Sequence, residues 1–345
     1  MLHKAWRSEY DGPIVVSKKA ADYLPPLLEQ GRLIRDLRAL IERRGLLPFV
    51  SAPLLEPRRE HFPDHWRPDA LGVERLALRL LSYAGLPELE AVVELYQGER
   101  AVRSIDAGGN ATAWSHKGAA AWFAGIDGGR RLFGAEASKL SVPDMLAGVM
   151  AHEVAHAFRH RHHLDGRERQ VEEELTDLTT VYLGFGILTT NASYRYRAEG
   201  ETMGGGTHTR WSHEGVGYLS SKAMSFLLAV QVVVRDLPAG ERRRLGSLLE
   251  TNQAAYFKAA CDSLERDTLI ERLGLPPPAQ WPPVTAPAPQ PFDTWQPSRL
   301  REFVREAESR RLHRRILPRK PAPGRASSTP PAGPPGHAPC ARRGG

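Results

Sequence analysis

The sequence predicts an α+β fold that is mainly helical, with a small sheet placed just before one central helix. Three observations carry that prediction. Apolar residues recur at helical spacing in two early segments, Leu27–Arg44 and Leu71–Ala84. The period then changes to that of short strands between residues 89 and 136. A strongly signalled helix begins near Ser141 and carries His152-Glu153-Val154-Ala155-His156. A brief turn leads from it into a second helix containing Glu173-Glu174-Leu175-Thr176-Asp177.

The elements can be taken in chain order. Pro25-Pro26 sets the start of the first helix, and Gly45 and Gly85 are natural stops for the first two. Residues 1–88 are thus read as a helical N-terminal part, interrupted by the Pro-rich, irregular stretch Val50–Pro68. Strands are expected at Leu89–Tyr96, Ala101–Ile105, Ala119–Ile126 and Arg131–Gly134, with Asp127-Gly128-Gly129 turning the last two into a hairpin. In the motif helix, Ser141 is read as N-cap, Pro143 is tolerated in the first turn, and Asp144 completes a capping box. The helix should run through Met145, Val149, His152 and His156 to about His162. After the turn His163–Asp165, Asp165 is read as cap of a second helix, with Glu168 three residues on, continuing to about Leu183. Helices are also expected at Gly217–Arg235 and Pro238–Arg266, closing a domain over residues 1–275. The polar, Gly-rich stretch Asn191–Gly215 reads as a loop and Pro276–Pro297 as a linker. Ser298–Leu317 is a basic amphipathic helix candidate, and Pro318–Gly345 has the composition of a disordered tail.

Composition narrows the function classes. The 345 residues are enough for a large buried core. Two cysteines, Cys261 and Cys340, lie far apart and make neither a disulfide framework nor a Cys-based zinc site, which favours a reducing compartment. The charged start, Met1–Tyr10, lacks the apolar core of a signal peptide. The longest apolar stretch, Ala223–Val234, is too short for a transmembrane segment. The expectation is a cytoplasmic protein. The net charge of +7 resides in the tail: Ser298–Gly345 holds 12 Lys+Arg against 3 Asp+Glu, leaving 35 against 37 elsewhere. The basic excess therefore says nothing about the ligand of the H-E-x-x-H segment.

Histidines four apart on a helix are offset by about 40° and roughly 6 Å, so both imidazoles reach one Zn²⁺ with the intervening glutamate beside its water. The register of the hairpin brings in a third group. With Leu164 as midpoint, His156 lies eight residues before and Glu173 nine after; His152 lies twelve before and Asp177 thirteen after. An antiparallel pair sets His156 level with Glu173 and His152 level with Asp177. Glu173 then becomes the third protein ligand, and Asp177 orients an imidazole, His152, through its other ring nitrogen. Glu174 sits one step off that face, about 100° away.

H-E-x-x-H followed by E-x-x-x-D on the next helix resembles the gluzincins, the thermolysin-like zinc metallopeptidases, and Thr176–Asn191 is similar to uncharacterised bacterial proteins with the same motif. The resemblance covers about Ala119–Asn191. It implies a zincin-like domain, one Zn²⁺ held by His152, His156 and Glu173, and Glu153 as catalytic base acting on a peptide or protein substrate. The gap from His156 to Glu173 is at the short end for that family and requires the tight hairpin. His162 stands where the metzincin pattern places a third histidine, but that pattern needs a glycine at position 159 for the chain to turn back, and Arg159 is a good helix former.

A peptidase also needs a donor for the developing oxyanion. His213 and Tyr218 are the chosen candidates, ahead of His208, Tyr194 and Tyr196 in the same loop. Strand Ala119–Ile126 either offers an edge for an extended peptide or forms a buried hairpin. The alternative to an enzyme is a non-catalytic zinc-binding scaffold. In the tail, Leu300, Phe303, Val304 and Ala307 make a narrow apolar stripe among arginines, read either as a surface for an acidic partner, anionic lipid or nucleic acid, or as a solvated extension.

Overall fold

A computed structural model of the chain describes residues 22–87, 90–97, 101–105, 111–115, 121–127, 130–166, 168–193 and 219–283. The chain divides into one unit over residues 1–295 and another over 296–345. The second unit, where the sequence places a candidate basic helix and its apolar stripe, lies outside the described residues.

Helix α1 (Leu27–Arg44) starts directly after Pro26 and stops at Gly45, burying Leu33, Ile34, Leu37, Leu40 and Ile41 along one face. That is the stripe its spacing predicts. The short α2 (Leu47–Ser51) follows, and α3 (Ala70–Tyr83) is capped by the Asp69 carboxylate, which accepts from the Gly72 N–H. Between them the chain is irregular, as its prolines require.

Strands β1 (Glu90–Tyr96), β4 (Ala121–Asp127) and β5 (Arg130–Glu136) form a three-stranded sheet of order β1-β5-β4. β1 runs parallel to β5, and β4 antiparallel to it. β2 (Ala101–Ile105) pairs antiparallel with β3 (Ala111–Ser115) in a separate two-stranded sheet. β3 was absent from the sequence expectation; Ala111-Thr112-Ala113-Trp114-Ser115 offers little alternation, and pairing with β2 supplies what the pattern does not.

Helix α4 (Pro143–Arg161) packs beneath β4 and beside α3, and α5 (Arg169–Tyr182) returns along it. The expected caps are corrected. A 3-10 turn, Ala137–Ser141, precedes α4, so the Ser141 hydroxyl bonds the Ser138 carbonyl and Val142 occupies the N-cap position without a side-chain cap. Asp165 does not cap α5 either; its carboxylate meets His160 Nδ1 at 3.0 Å, and Glu168 precedes the helix. Residues 186–193 are helical, so the expected loop cannot begin at Asn191. Gly148 lets this stretch touch α4: a Cβ there would lie 2.6 Å from Ala192 Cβ and from the Leu188 carbonyl oxygen.

Helix α6 (Ser221–Val234), capped by Ser220, is buried along all of Ala223–Val234 and forms the centre of the core. Its continuous apolar run is therefore interior packing, each large side chain stabilising by about 1.5–3 kcal/mol. No helix among the described residues is long and apolar enough to cross a membrane. The single helix expected over Pro238–Arg266 is two, α7 (Ala239–Gly246) and α8 (Thr251–Ser263), and a further helix, α9 (Arg266–Arg272), starts where it was expected to end. Asn191 holds the first break, donating to the Leu248 carbonyl at 2.8 Å and accepting from the Glu250 N–H at 3.0 Å. Both contacts come from a distant part of the chain, which is why local periodicity misses them. The Pro-rich stretch also begins as packed structure: the Ser51 hydroxyl donates to the Pro282 carbonyl at 3.0 Å, and the Arg266 guanidinium lies over the Trp281 ring.

Within α3, Glu74 is 3 % exposed, and its Oε2 has no hydrogen-bond partner among the described residues. Burial, reinforced by Glu90 and opposed by Arg75, pushes its carboxyl up to about 7. A raised folded-state pKa costs no stability below the unfolded value of about 4.5, and the cost grows as pH rises through 7. Glu74→Gln should therefore raise the melting temperature at pH 8 and leave it unchanged at pH 4. Thermal unfolding at the two pH values checks this; an equal shift at both would defeat the assignment.

Candidate metal centre

Helices α4 and α5 build the site. Thirteen residues of α4 are buried, including His152 and Glu153, because the helix lies between the sheet, α3 and α5. The antiparallel return sets His152 opposite Asp177 and His156 opposite Glu173. His152 Nε2 and His156 Nε2 both lie 3.1 Å from the same oxygen, Glu173 Oε2. The two rings are nearly perpendicular, with centroids 4.7 Å apart. Ligand atoms of the three residues fall within 4.8 Å of one another, and the group could hold a metal ion.

The remaining ring nitrogens are also engaged. His152 Nδ1 meets Asp177 Oδ1 at 2.8 Å, while Asp177 Oδ2 accepts the Leu219 backbone N–H at 2.9 Å. His156 Nδ1 lies 3.1 Å from Thr176 Oγ1. Each imidazole is therefore held from behind with Nε2 turned inward. Two imidazole nitrogens and one carboxylate oxygen converging on one place are a donor set that suits zinc. The fit is to a cation in particular, because three carboxylates, Glu153, Glu173 and Asp177, surround two imidazoles.

The electrostatics show the same imbalance. Burial alone would lower the pKa of His152, but hydrogen bonds to Asp177 and Glu173, with the Glu153 charge added, raise it well above the ordinary value. Burial would raise Glu173, yet His152 and His156 hold it far below the usual carboxylate range. Glu153 makes no comparable pair. Burial pushes its carboxyl up, opposed by His156 and His152, and the Phe123 backbone N–H of β4 donates to it.

His162 stays outside this cluster. Its ring packs against Phe158 at 4.5 Å between centroids, and its Nε2 is 3.3 Å from Arg44 Nη2. Arg159 is the reason α4 does not break as the metzincin pattern demands. Its Nε and Nη2 donate to the two Glu172 carboxylate oxygens at 2.7 and 2.9 Å, and Nη2 also donates to the Leu164 carbonyl at 2.7 Å. Glu174 points elsewhere, to an ion pair with Arg32. His213, Tyr218, His208, Tyr194 and Tyr196 lie outside the described residues.

Sequence reasoning missed Arg159 and Thr176. Both sit on the facing surfaces of the hairpin, so the register that pairs His156 with Glu173 also brings them inside. No protein-family model, curated protein or solved structure matches this chain.

Proposed function

We propose that the chain is a zinc-dependent metallopeptidase in which His152, His156 and Glu173 hold the metal and Glu153 is the general base. The observation that carries this reading is the convergence of two Nε2 atoms on one Glu173 oxygen, with the Glu153 carboxylate between the two histidines in sequence and against the β4 backbone. Zinc, when bound there, supplies a Lewis acid that polarises a carbonyl and brings the pKa of a coordinated water to about 7.

The chain's own groups do the rest. Asp177 keeps His152 oriented through Nδ1, and its second oxygen ties that arrangement to the backbone at Leu219. Glu153 takes the proton of the attacking water on its carboxylate and passes it to the leaving amine nitrogen. Its burial removes competing water and holds its basicity closer to neutrality than an exposed glutamate would have. β4 ends the three-stranded sheet above α4, and an extended peptide laid along it brings its carbonyl over the site.

Elemental analysis of the purified chain should give one zinc per chain. Glu173→Ala should lose it, whereas His162→Ala should retain it, because only the first removes an atom from the cluster. The opposite pattern would move the third ligand to His162. A peptide library that stays uncut by the zinc-loaded chain would leave a zinc-binding scaffold in place of an enzyme.

A further inference from the structure

We propose that Thr176 keeps a proton on Nδ1 of His156 and so leaves Nε2 as the nitrogen offered to a metal. The inference rests on the metal-binding reading above and adds a positioning residue to it. Thr176 is fully buried on α5, three residues after Glu173. Its Oγ1 lies 2.8 Å from the Glu172 carbonyl oxygen and 3.1 Å from His156 Nδ1. A hydroxyl has one proton and two lone pairs, and a carbonyl oxygen only accepts. The threonine proton is therefore committed to Glu172, in the bond back to residue i−4 that helical threonines commonly make.

The remaining choice is closed by distance. Glu172 Oε1, at 3.5 Å, is beyond the ordinary range for a hydroxyl bond and already accepts from Arg159. With its proton on Glu172, Oγ1 turns a lone pair toward His156, and Nδ1 is placed to donate to it. A neutral imidazole protonated on Nδ1 presents its lone pair at Nε2. That atom lies 3.1 Å from Glu173 Oε2, which only accepts, so the lone pair is offered where a cation stands between the two in place of a proton. Asp177 does the same for His152 with a charged acceptor. One face of α5, at positions i, i+3 and i+4, thus supplies Glu173 and both oxygens that orient the histidines.

The test compares the full-length chain with Thr176→Val, which keeps the shape and loses the oxygen, and Thr176→Ser, which keeps the oxygen and loses the methyl. Zinc affinity is read by competition with a chromogenic chelator, and thermal melts of the metal-free proteins report any loss of fold. Thr176→Val should bind zinc about 10- to 100-fold more weakly, and Thr176→Ser should restore most of that affinity. Wild-type affinity in Thr176→Val, or an equal loss in Thr176→Ser, would overturn the proposal. Nitrogen-15 spectra separate this outcome from failure of the metal reading. If the wild-type chain binds no zinc, that reading fails, and the ring is then read in the metal-free Glu173→Ala background, where no carboxylate faces Nε2. There, a proton on Nδ1 that redistributes on adding Thr176→Val supports the role, and a proton held on Nε2 refutes it.

Discussion

Under the proposed peptidase function, Glu153→Gln should bind zinc as the wild-type chain does and lose peptide hydrolysis by about 10²–10⁴-fold, the contribution of a well-placed general base. The substitution changes one oxygen to an amide nitrogen and leaves the volume unchanged. His152, His156 and Glu173 converge on one another without any contribution from Glu153, so the ligand set should survive. What disappears is the one carboxylate of the three around the cluster that is not bonded to a ligating imidazole: Asp177 serves His152, and Glu173 faces both rings. The Phe123 N–H has an oxygen to donate to in either variant, provided the amide settles with its oxygen toward β4. Zinc content and turnover of a peptide-library substrate, measured on the same preparation, decide the matter. Undiminished turnover with full zinc would remove Glu153 from the chemistry and leave the metal site standing.

Arg159→Leu should destabilise the chain by about 3 kcal/mol, at the lower end of the cost of removing one partner from a buried ion pair. Arg159 is 3 % exposed and its guanidinium ties together three parts of the hairpin: the Glu172 carboxylate, the Leu164 carbonyl in the turn and, more weakly, the Thr179 hydroxyl at 3.3 Å. The lower end applies because Glu172 retains the Gly166 N–H and some contact with solvent. Replacing both partners with apolar residues, Arg159→Met with Glu172→Leu, should recover much of the loss, since no charge is then left buried alone. Urea unfolding of the three metal-free proteins reads the difference. A change below about 1 kcal/mol in Arg159→Leu would show the pair to be a surface bridge in all but geometry.

The legible part of the site was the part encoded in short-range spacing. Two histidines four apart must share a helix face, and a count of residues through a tight turn sets Glu173 and Asp177 against them. The structure brings those four side chains together at 2.8 to 3.1 Å. The roles of Arg159 and Thr176 were not legible, because an arginine or threonine in a helix looks the same whether it faces water or a partner. Helix ends fared unevenly for a related reason. α1 keeps its predicted limits, Leu27–Arg44, since proline and glycine act on the backbone locally. The caps assigned to Ser141 and Asp165 failed because each oxygen had another nearby group to bond, the Ser138 carbonyl and His160.

By itself the amino-acid order determined the first long helix, the two helices of the candidate site, the mainly helical class with a small sheet, and the candidate ligands, since each of these is set by periodicity over a few residues. Only the tertiary structure decided which nitrogen of each imidazole faces Glu173, where the C-terminal helices break, and how β1 joins β5 in parallel across the intervening strands. Those outcomes depend on contacts between groups tens of residues apart. They are made when burial forces each polar atom to find a partner, and no local pattern records which partner that will be.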